Sequence, residues 1–359
     1  MWSSESLGPT MGRFLTVLKG PRGMLLFTML LFCSQVGAAD FTLRVHHFLG
    51  VESLPHKELI EPWARRVEAE SNGRIEVKVY PEMALGGEAP QLLDQALNGT
   101  VDIIWTAAAY TPKRFPHTEV FTLPLIHAGD PVATNQALMS EMDGILQKDF
   151  HGFKPLLAHV QVGHSLHLSR KTVNAASDLS GLVLRPAGRT VGVWVVEALG
   201  ANRSRKRHPK LSDALANNRL DGALMSFQLA QALDVIESVQ SHTMLAENRY
   251  FGTSLYLFLM GQASYDALPV DLRRVIDRNS GMTLAEQAGH LWRNAERKAI
   301  AVAREQGNVI KLLNETQQHL AEEALKTVLV RWSDTVRSQG VDGPALIDKA
   351  RQAIARYRQ

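Results

Sequence analysis

Phe41, Leu43 and Val45 alternate with Thr42, Arg44 and His46 in FTLRVHHF, the period-two signature of a half-buried strand. The next segment changes period. Leu59, Trp63 and Val67 recur at helical spacing in SLPHKELIEPWARRVEAESNG, and Asn72-Gly73 stops the helix. Period two returns in RIEVKVY, with Ile75, Val77 and Val79 on one face and Glu76 and Lys78 on the other. APQLLDQALNG predicts a short helix, and VDIIWTAAAY a strand that opens on a nearly all-apolar run. Strand, helix, strand, helix, strand is the order of a largely parallel sheet covered by helices.

The order then repeats. FKPLLAHV and GLVLR predict strands, TVGVWVVEALG a helix ending at Gly200, LSDALANNRLDG a short helix and ALMSF another strand. DQALNGTVD (Asp94 to Asp102) and DALANNRLD (Asp213 to Asp221) share an Asp, a helical turn, an Asn-containing stop and an aliphatic-Asp pair before a strand. A junction used twice fits two similar α/β lobes. YFGTSLYLFLMG predicts a strand crossing back. The rest is mostly helical, led by a long amphipathic stretch interrupted at Ser280-Gly281 and closed by two more helices.

Composition changes this picture mainly at the N-terminus. The 359 residues are enough for two lobes. Arg13, Lys19 and Arg22 precede the apolar run MLLFTMLLF, and small residues at Gly37, Ala38 and Ala39 follow it. Basic region, short apolar core and A-x-A-like site predict a secretory signal over residues 1–39, hence a periplasmic location, with Met11 as an alternative start. The competing reading is an uncleaved anchor, but the run falls short of the ~20 residues that span a bilayer. Cys33, the only cysteine, lies inside the leader behind Phe32, where a lipid-anchored chain needs a small residue. The mature chain then has no disulfide and rests on its core. Without the leader its charge is close to neutral, which argues against a general nucleic-acid binder.

No enzyme motif emerges. GHSLH lacks the final glycine of a nucleophile elbow, and LGGEAP lacks the Lys-Ser/Thr pair of a phosphate loop. His46-His47 and His164 with His167 have no third metal ligand at a suitable spacing, so neither metal nor cofactor is expected. LSGLVLRPAGRT is more informative. Leu182, Val183 and Leu184 form an apolar strand that ends on Arg185, before Pro186 and Gly188 break the chain. Ligands of α/β sheets sit beyond the carboxyl ends of strands, and a guanidinium fork matches a carboxylate with two parallel hydrogen bonds. A structural ion pair or a solvated strand end would read the same way.

GLVLRPAGRT, ALG at Ala198 to Gly200, ALANNRLDGAL, LNGTVDIIWT with YTPKRFPHTEVFTLPL, and PWARRVEAESNGRIEVKVYPEMALGG together resemble the solute-binding proteins of TRAP transporters, the DctP-type family. The resemblance covers essentially the whole mature chain. It implies a two-lobe periplasmic binding protein fold with hinge strands and a long helix spanning both lobes. The lobes are expected as 40–162 for the first part of lobe 1, 163–250 for lobe 2, and 251–359 for the completion of lobe 1, the spanning helix and the C-terminal helices. The implied activity is capture of a small organic acid, a carboxylate, by a monomer that delivers it to membrane permease subunits, with the arginine matching Arg185 gripping the carboxylate. The same fold used as a ligand sensor, a hydrolase using His164 or Ser165, and a degenerate binder remain as alternatives.

Most departures from the family pattern fall in lobe 2. DGALMSFQ stands where relatives read DGALLPWE, so Met225 and Ser226 are followed by Phe227 and Gln228 in place of tryptophan and acid, and Gly261 replaces an asparagine. Phe227 is expected either to stack on the ligand or to pack in the core. A second basic ligand residue of some relatives falls near Ser165 and His167. NRSRKRHPK, with Arg203, Arg205, Lys206, Arg207, His208 and Lys210, reads as a solvated surface or permease-docking edge rather than a cleft. In lobe 1, His47 and Glu52 follow the first strand and Trp105 and Tyr110 lie along the third, where a ligand would meet that lobe.

Overall fold

The computed structural model describes residues 39–358 apart from 171, 206–209 and 248. The leader expected over 1–39 falls, but for Ala39, outside these residues, as does part of the basic run. In chain order the strands are β1 (Phe41–His47), β2 (Ile75–Tyr80), β3 (Ile103–Ala107), β4 (Phe153–Val160), β5 (Ser165–Leu168), β6 (Val183–Arg185), β7 (Asn202–Arg203), β8 (Gly222–Met225), β9 (Ser241–Met244), β10 (Leu255–Gly261) and β11 (Val309–Leu312). They form two sheets, ordered β2-β1-β3-β10-β4 and β11-β9-β5-β8-β6-β7.

The first sheet is parallel at β2-β1-β3, as the repeated strand-helix order predicts. β10 then inserts antiparallel between β3 and β4. Every residue of β10 is buried, so it reads as one continuous apolar run with no alternation to betray its direction. In the second sheet β6 runs parallel to both β7 and β8, while β5 is antiparallel to β8 and β9. β11 pairs in parallel with β9 and therefore belongs to the second lobe. The segment 251–359, expected to complete lobe 1 and to supply the spanning and C-terminal helices, thus also supplies an edge strand to the second sheet.

The repeated junction has the same job in both lobes. Asp102, just before β3, accepts the backbone N–H of Arg44 in β1 (2.9 Å), while its own N–H donates to Arg44 O (3.1 Å). Asp221, just before β8, accepts the N–H of Val183 in β6 (2.8 Å), and its N–H donates to Val183 O (3.0 Å). Each Asp extends a parallel ladder by one register beyond its strand and satisfies an otherwise orphaned donor.

Two strand crossings join the lobes. β4 runs through Gln161–His164 into β5, and β9 returns through Leu245–Ser254 into β10. The crossings lie side by side, with His164 N–H donating to Gly252 O (2.8 Å), Phe251 N–H to His164 O (3.1 Å) and Thr253 Oγ1 to Gln161 O (2.9 Å). Gly163 holds φ +154°, and a Cβ there would sit 2.2 Å from the Tyr250 ring, so only glycine lets them approach this closely. The helix Gly281–Glu305 has 25 residues, about 37 Å. It packs Leu284, Ala285 and Ala288 into the lobe-1 core and Ala299 and Ala303 into the lobe-2 core. After β11 the helix Glu315–Arg337 lies against the lobe-2 helix Val191–Ala198, and the helix Gly343–Ala355 returns to the lobe-1 helix Pro131–Ser140. Among the described residues no helix is long and apolar enough to cross a membrane.

Candidate ligand-binding cleft

Between the lobes lies a cavity of about 960 Å³. Lobe 1 contributes an aromatic wall. Trp105 stacks on Tyr256 with centroids 4.8 Å apart and planes 12° apart, and Phe48 sits 5.6 Å from Trp105 and meets Tyr110 edge-on at 5.1 Å. Trp292 of the spanning helix extends this wall, 6.0 Å from Tyr256. Behind it, the Nε1–H groups of Trp105 and Trp292 reach the two nitrogens of His159 at 3.1 and 2.8 Å. An indole only donates, so a neutral His159 accepts from one of the two indoles, whereas a protonated ring could accept from neither and would oppose N–H to N–H on both sides. Burial pushes its pKa down to about 3, and the ring stays neutral.

Lobe 2 contributes Arg185 at the carboxyl end of β6, together with Met225 at the end of β8 and Gln228 beyond it. Arg185 is half-buried, and burial works against its charge. Among the described residues no carboxylate lies within ion-pair distance of its guanidinium. The loop behind it is tight: Ala187 O lies 1.9 Å from where a Cβ of Gly192 would stand. His164 also lines the cleft. Its pKa falls to about 3, first from burial, then from the neighbouring His127, Arg185 and His167. At neutral pH His164 is uncharged and leaves Arg185 as the cation there.

Two carboxylates tie the walls to the frame. Glu296, buried on the spanning helix, accepts the backbone N–H groups of Phe227 and Gln228, both at 3.0 Å, and burial raises its pKa to about 7. Glu119, in lobe 1, accepts from Thr190 Oγ1 of lobe 2 and from Trp332 Nε1, both at 3.1 Å; burial raises its pKa too. Next to this bridge, a Cβ on Gly188 of lobe 2 would meet Ala109 of lobe 1 at 3.4 Å. The lobes therefore touch along the edge of the cleft that carries Arg185.

Of the residues expected at the site, Arg185, Tyr110, Trp105 and Met225 line the cavity, as does Glu52. Three do not. His47 is buried in lobe 1, where Leu49 N–H donates to its Nδ1 (3.2 Å) and its Nε2 meets His56 Nδ1 (3.0 Å). His167 is buried in the second sheet, with Nε2 against Met225 O (3.0 Å) and Nδ1 against His242 Nδ1 (2.7 Å). The carbonyl only accepts, so His167 Nε2 carries the proton and His242 Nδ1–H donates. His242 Nε2 is then left to accept from Asn308 Nδ2 (3.0 Å). Phe227 packs on these two rings at 4.9 and 4.7 Å and is core, not wall. Arg203 and Arg205 are exposed and do not line the cleft, and Arg203 pairs with Glu197 (3.3 Å).

Sequence reasoning missed Phe48, Tyr256, Trp292 and Gln161, which come from four separate segments. Trp292 carried a signal: it lies four residues, one helical turn, before the buried Glu296.

Two α/β lobes joined by crossing strands and a shared helix, with an aromatic cleft that carries Arg185 between them, define a two-lobed solute-binding protein. Residues 45–334 match the family of bacterial extracellular solute-binding proteins, family 7, also called DctP, and the chain belongs to that family. Its fold is similar to a TRAP solute binding protein of a marine metagenome, from an unidentified microbe, described as specific for aromatic acid ligands and solved with metahydroxyphenylacetate. The TM-score is 0.84 and identity 34%, over 89% of this chain and all of that one. A TRAP solute binding protein from Rhodoferax ferrireducens, solved with copurified benzoate, has a TM-score of 0.81 and 32% identity, covering 88% of this chain and 98% of that one. A solute-binding protein of Chromohalobacter salexigens is 23% identical over 246 residues, 67% of this chain and 70% of the relative. The family and these structures are binding proteins, not enzymes.

Proposed function

We propose that this chain captures an aromatic monocarboxylate outside the cytoplasm and delivers it to the membrane permease subunits of a TRAP-type transporter. The observation that carries this reading is Arg185, a half-buried cation without a carboxylate partner among the described residues, facing a wall of stacked aromatic rings. A guanidinium fork takes a carboxylate bidentately, and a flat ring gains both apolar burial and stacking against Trp105, Tyr256 and Phe48. The relatives solved with an aromatic acid or benzoate, 34% and 32% identical, support the same ligand class. A ligand touching Arg185 of lobe 2 and the aromatic wall of lobe 1 makes its full set of contacts only when the lobes meet. It therefore shifts the equilibrium toward the closed form.

Calorimetry with benzoate and 3-hydroxybenzoate tests this. Binding is expected for the wild type, and Arg185→Ala should cost at least ~1.5–3 kcal/mol, the range for hydrogen bonds to a charged group. Unchanged affinity in that variant would remove the carboxylate clamp. Native mass spectrometry of the freshly purified chain should show a co-purified acid of one-ring mass.

A further inference from the structure

The hydrogen bonds around Gln228 fix which way its amide faces. Ser226 caps the helix Phe227–Ala232 by accepting the N–H of Leu229 (3.2 Å). A backbone N–H only donates, so the Ser226 hydroxyl proton must go elsewhere. Ser226 is fully buried, and its other partner is Gln161 Oε1 at 3.2 Å. That makes Gln161 Oε1 an acceptor, and Gln161 Nε2 then donates to Gln228 Oε1 (3.3 Å). With its oxygen engaged, Gln228 keeps its Nε2–H groups for the cavity it lines, and among the described residues nothing accepts them. The opposite amide orientation would leave the Ser226 proton unspent in a fully buried position, at the cost of an unmade hydrogen bond. The backbone of Gln228 is held from behind by Glu296 (3.0 Å).

Arg185 and Gln228 both lie at the carboxyl end of neighbouring strands of the second sheet. Arg185 ends β6 and pairs with Ala223 of the neighbouring parallel strand β8, and Gln228 follows β8 by three residues. Adjacent strands are about 4.8 Å apart, so a ligand one ring long can reach both side chains.

We infer that Gln228 is a specificity-determining residue that presents a hydrogen-bond donor to an oxygen on the ring of the ligand. Resting on the aromatic-acid reading above, this narrows the class to aromatic monocarboxylates bearing a ring oxygen substituent. The Ser226-Gln161-Gln228 chain transmits the polarity of a helix cap to the ligand. An acid at position 228 would present the opposite polarity.

The test compares near-isosteric probes that differ only in accepting ability: 3-methoxybenzoate against 3-ethylbenzoate, and the 4-substituted pair, with benzoate as reference. By calorimetry the wild type should prefer the methoxy member of at least one pair by roughly 2- to 12-fold, the worth of one net hydrogen bond. The readout is the ratio within each variant, so a general loss of affinity cancels. In Gln228→Leu the ratio should fall to about one, and in Gln228→Glu it should invert; circular dichroism checks that each variant is folded. Ser226→Ala should lower the ratio without touching the ligand, because Gln161 is then free to turn over. No preference in either pair while benzoate binds, or a preference that persists in Gln228→Leu, would overturn the assignment. Failure of all five acids, benzoate included, would sink the aromatic-acid reading and this inference with it.

Discussion

A half-buried guanidinium without a counter-charge destabilises the chain that carries it. Arg185 is in that position, with burial opposing its charge. Arg185→Met is therefore expected to raise the melting temperature of the ligand-free protein while abolishing carboxylate binding, measured by thermal unfolding and calorimetry on one preparation. The histidines give the residue scale its pH dependence. Burial lowers His47, His159, His164 and His242 to about 3, and His127 and His167 to about 4. Each folded pKa lies below the unfolded value of 6.5. The unfolded chain therefore binds more protons as the solution acidifies, and the stability these residues contribute, complete above pH 6.5, is lost as pH falls toward 4. Thermal unfolding between pH 7 and pH 4.5 should show a falling midpoint and net proton uptake on unfolding. Arg185 was legible because an apolar strand ending on a cation is a local pattern. Of the two places open to Phe227 the structure gives the core, whereas His47 and His167 were misplaced for the opposite reason. A histidine can be buried when a second histidine, a carbonyl or a backbone N–H accounts for each nitrogen, and apart from the nearby Leu49 N–H those partners come from His56, His242 and Met225, which local spacing does not connect.

At the scale of elements, Glu296 does unusual work. The helix Phe227–Ala232 is only six residues long, and two of its first N–H groups are satisfied by a carboxylate from the spanning helix. Glu296→Ala strands both donors in a buried site and should destabilise the protein by ~1–3 kcal/mol per unmet group, read from denaturant unfolding. Its pH signature runs opposite to that of the histidines. A folded pKa of about 7 lies above the normal 4.5, so its contribution is complete below pH 4.5 and is lost as pH rises through 7. Glu296→Gln should flatten the stability profile between those limits. Strands with clean alternation, β1 and β2, were legible, as was the Asp102/Asp221 junction, whose function in the ladder explains why it recurs. β5, β9 and β11 were not. Each has four residues, too few for period two to stand out, and β11 is a half-exposed edge strand between two amphipathic helices.

For the whole molecule, the decisive contacts are those between lobes. Thr190 and Glu119 are joined by one hydrogen bond across the cleft, beside the Gly188-Ala109 contact. Thr190→Val removes the donor while keeping the shape. Ligand affinity should weaken by roughly 2- to 12-fold, mostly through faster release, and stopped-flow fluorescence of the cleft tryptophans would follow it. An unchanged release rate would mean that the bridge takes no part in closure. The two-lobed plan and the family were legible, because motifs spread over the chain point to both. The aromatic wall was not: Phe48, Trp105, Tyr256 and Trp292 are up to 244 positions apart and meet only once both sheets are assembled.

The placement of β10 and β11 also dictates when folding can finish. The first sheet stays open until residue 255 arrives to fill the gap between β3 and β4, and the second lacks its outer edge until residue 309 has been made. A polypeptide emerging from the ribosome thus has neither sheet complete for most of its synthesis, and such distant pairings form slowly. Pairing of β10 and β11 across such distances in the chain is therefore the late and slow stage at which the cleft between the lobes takes its final form.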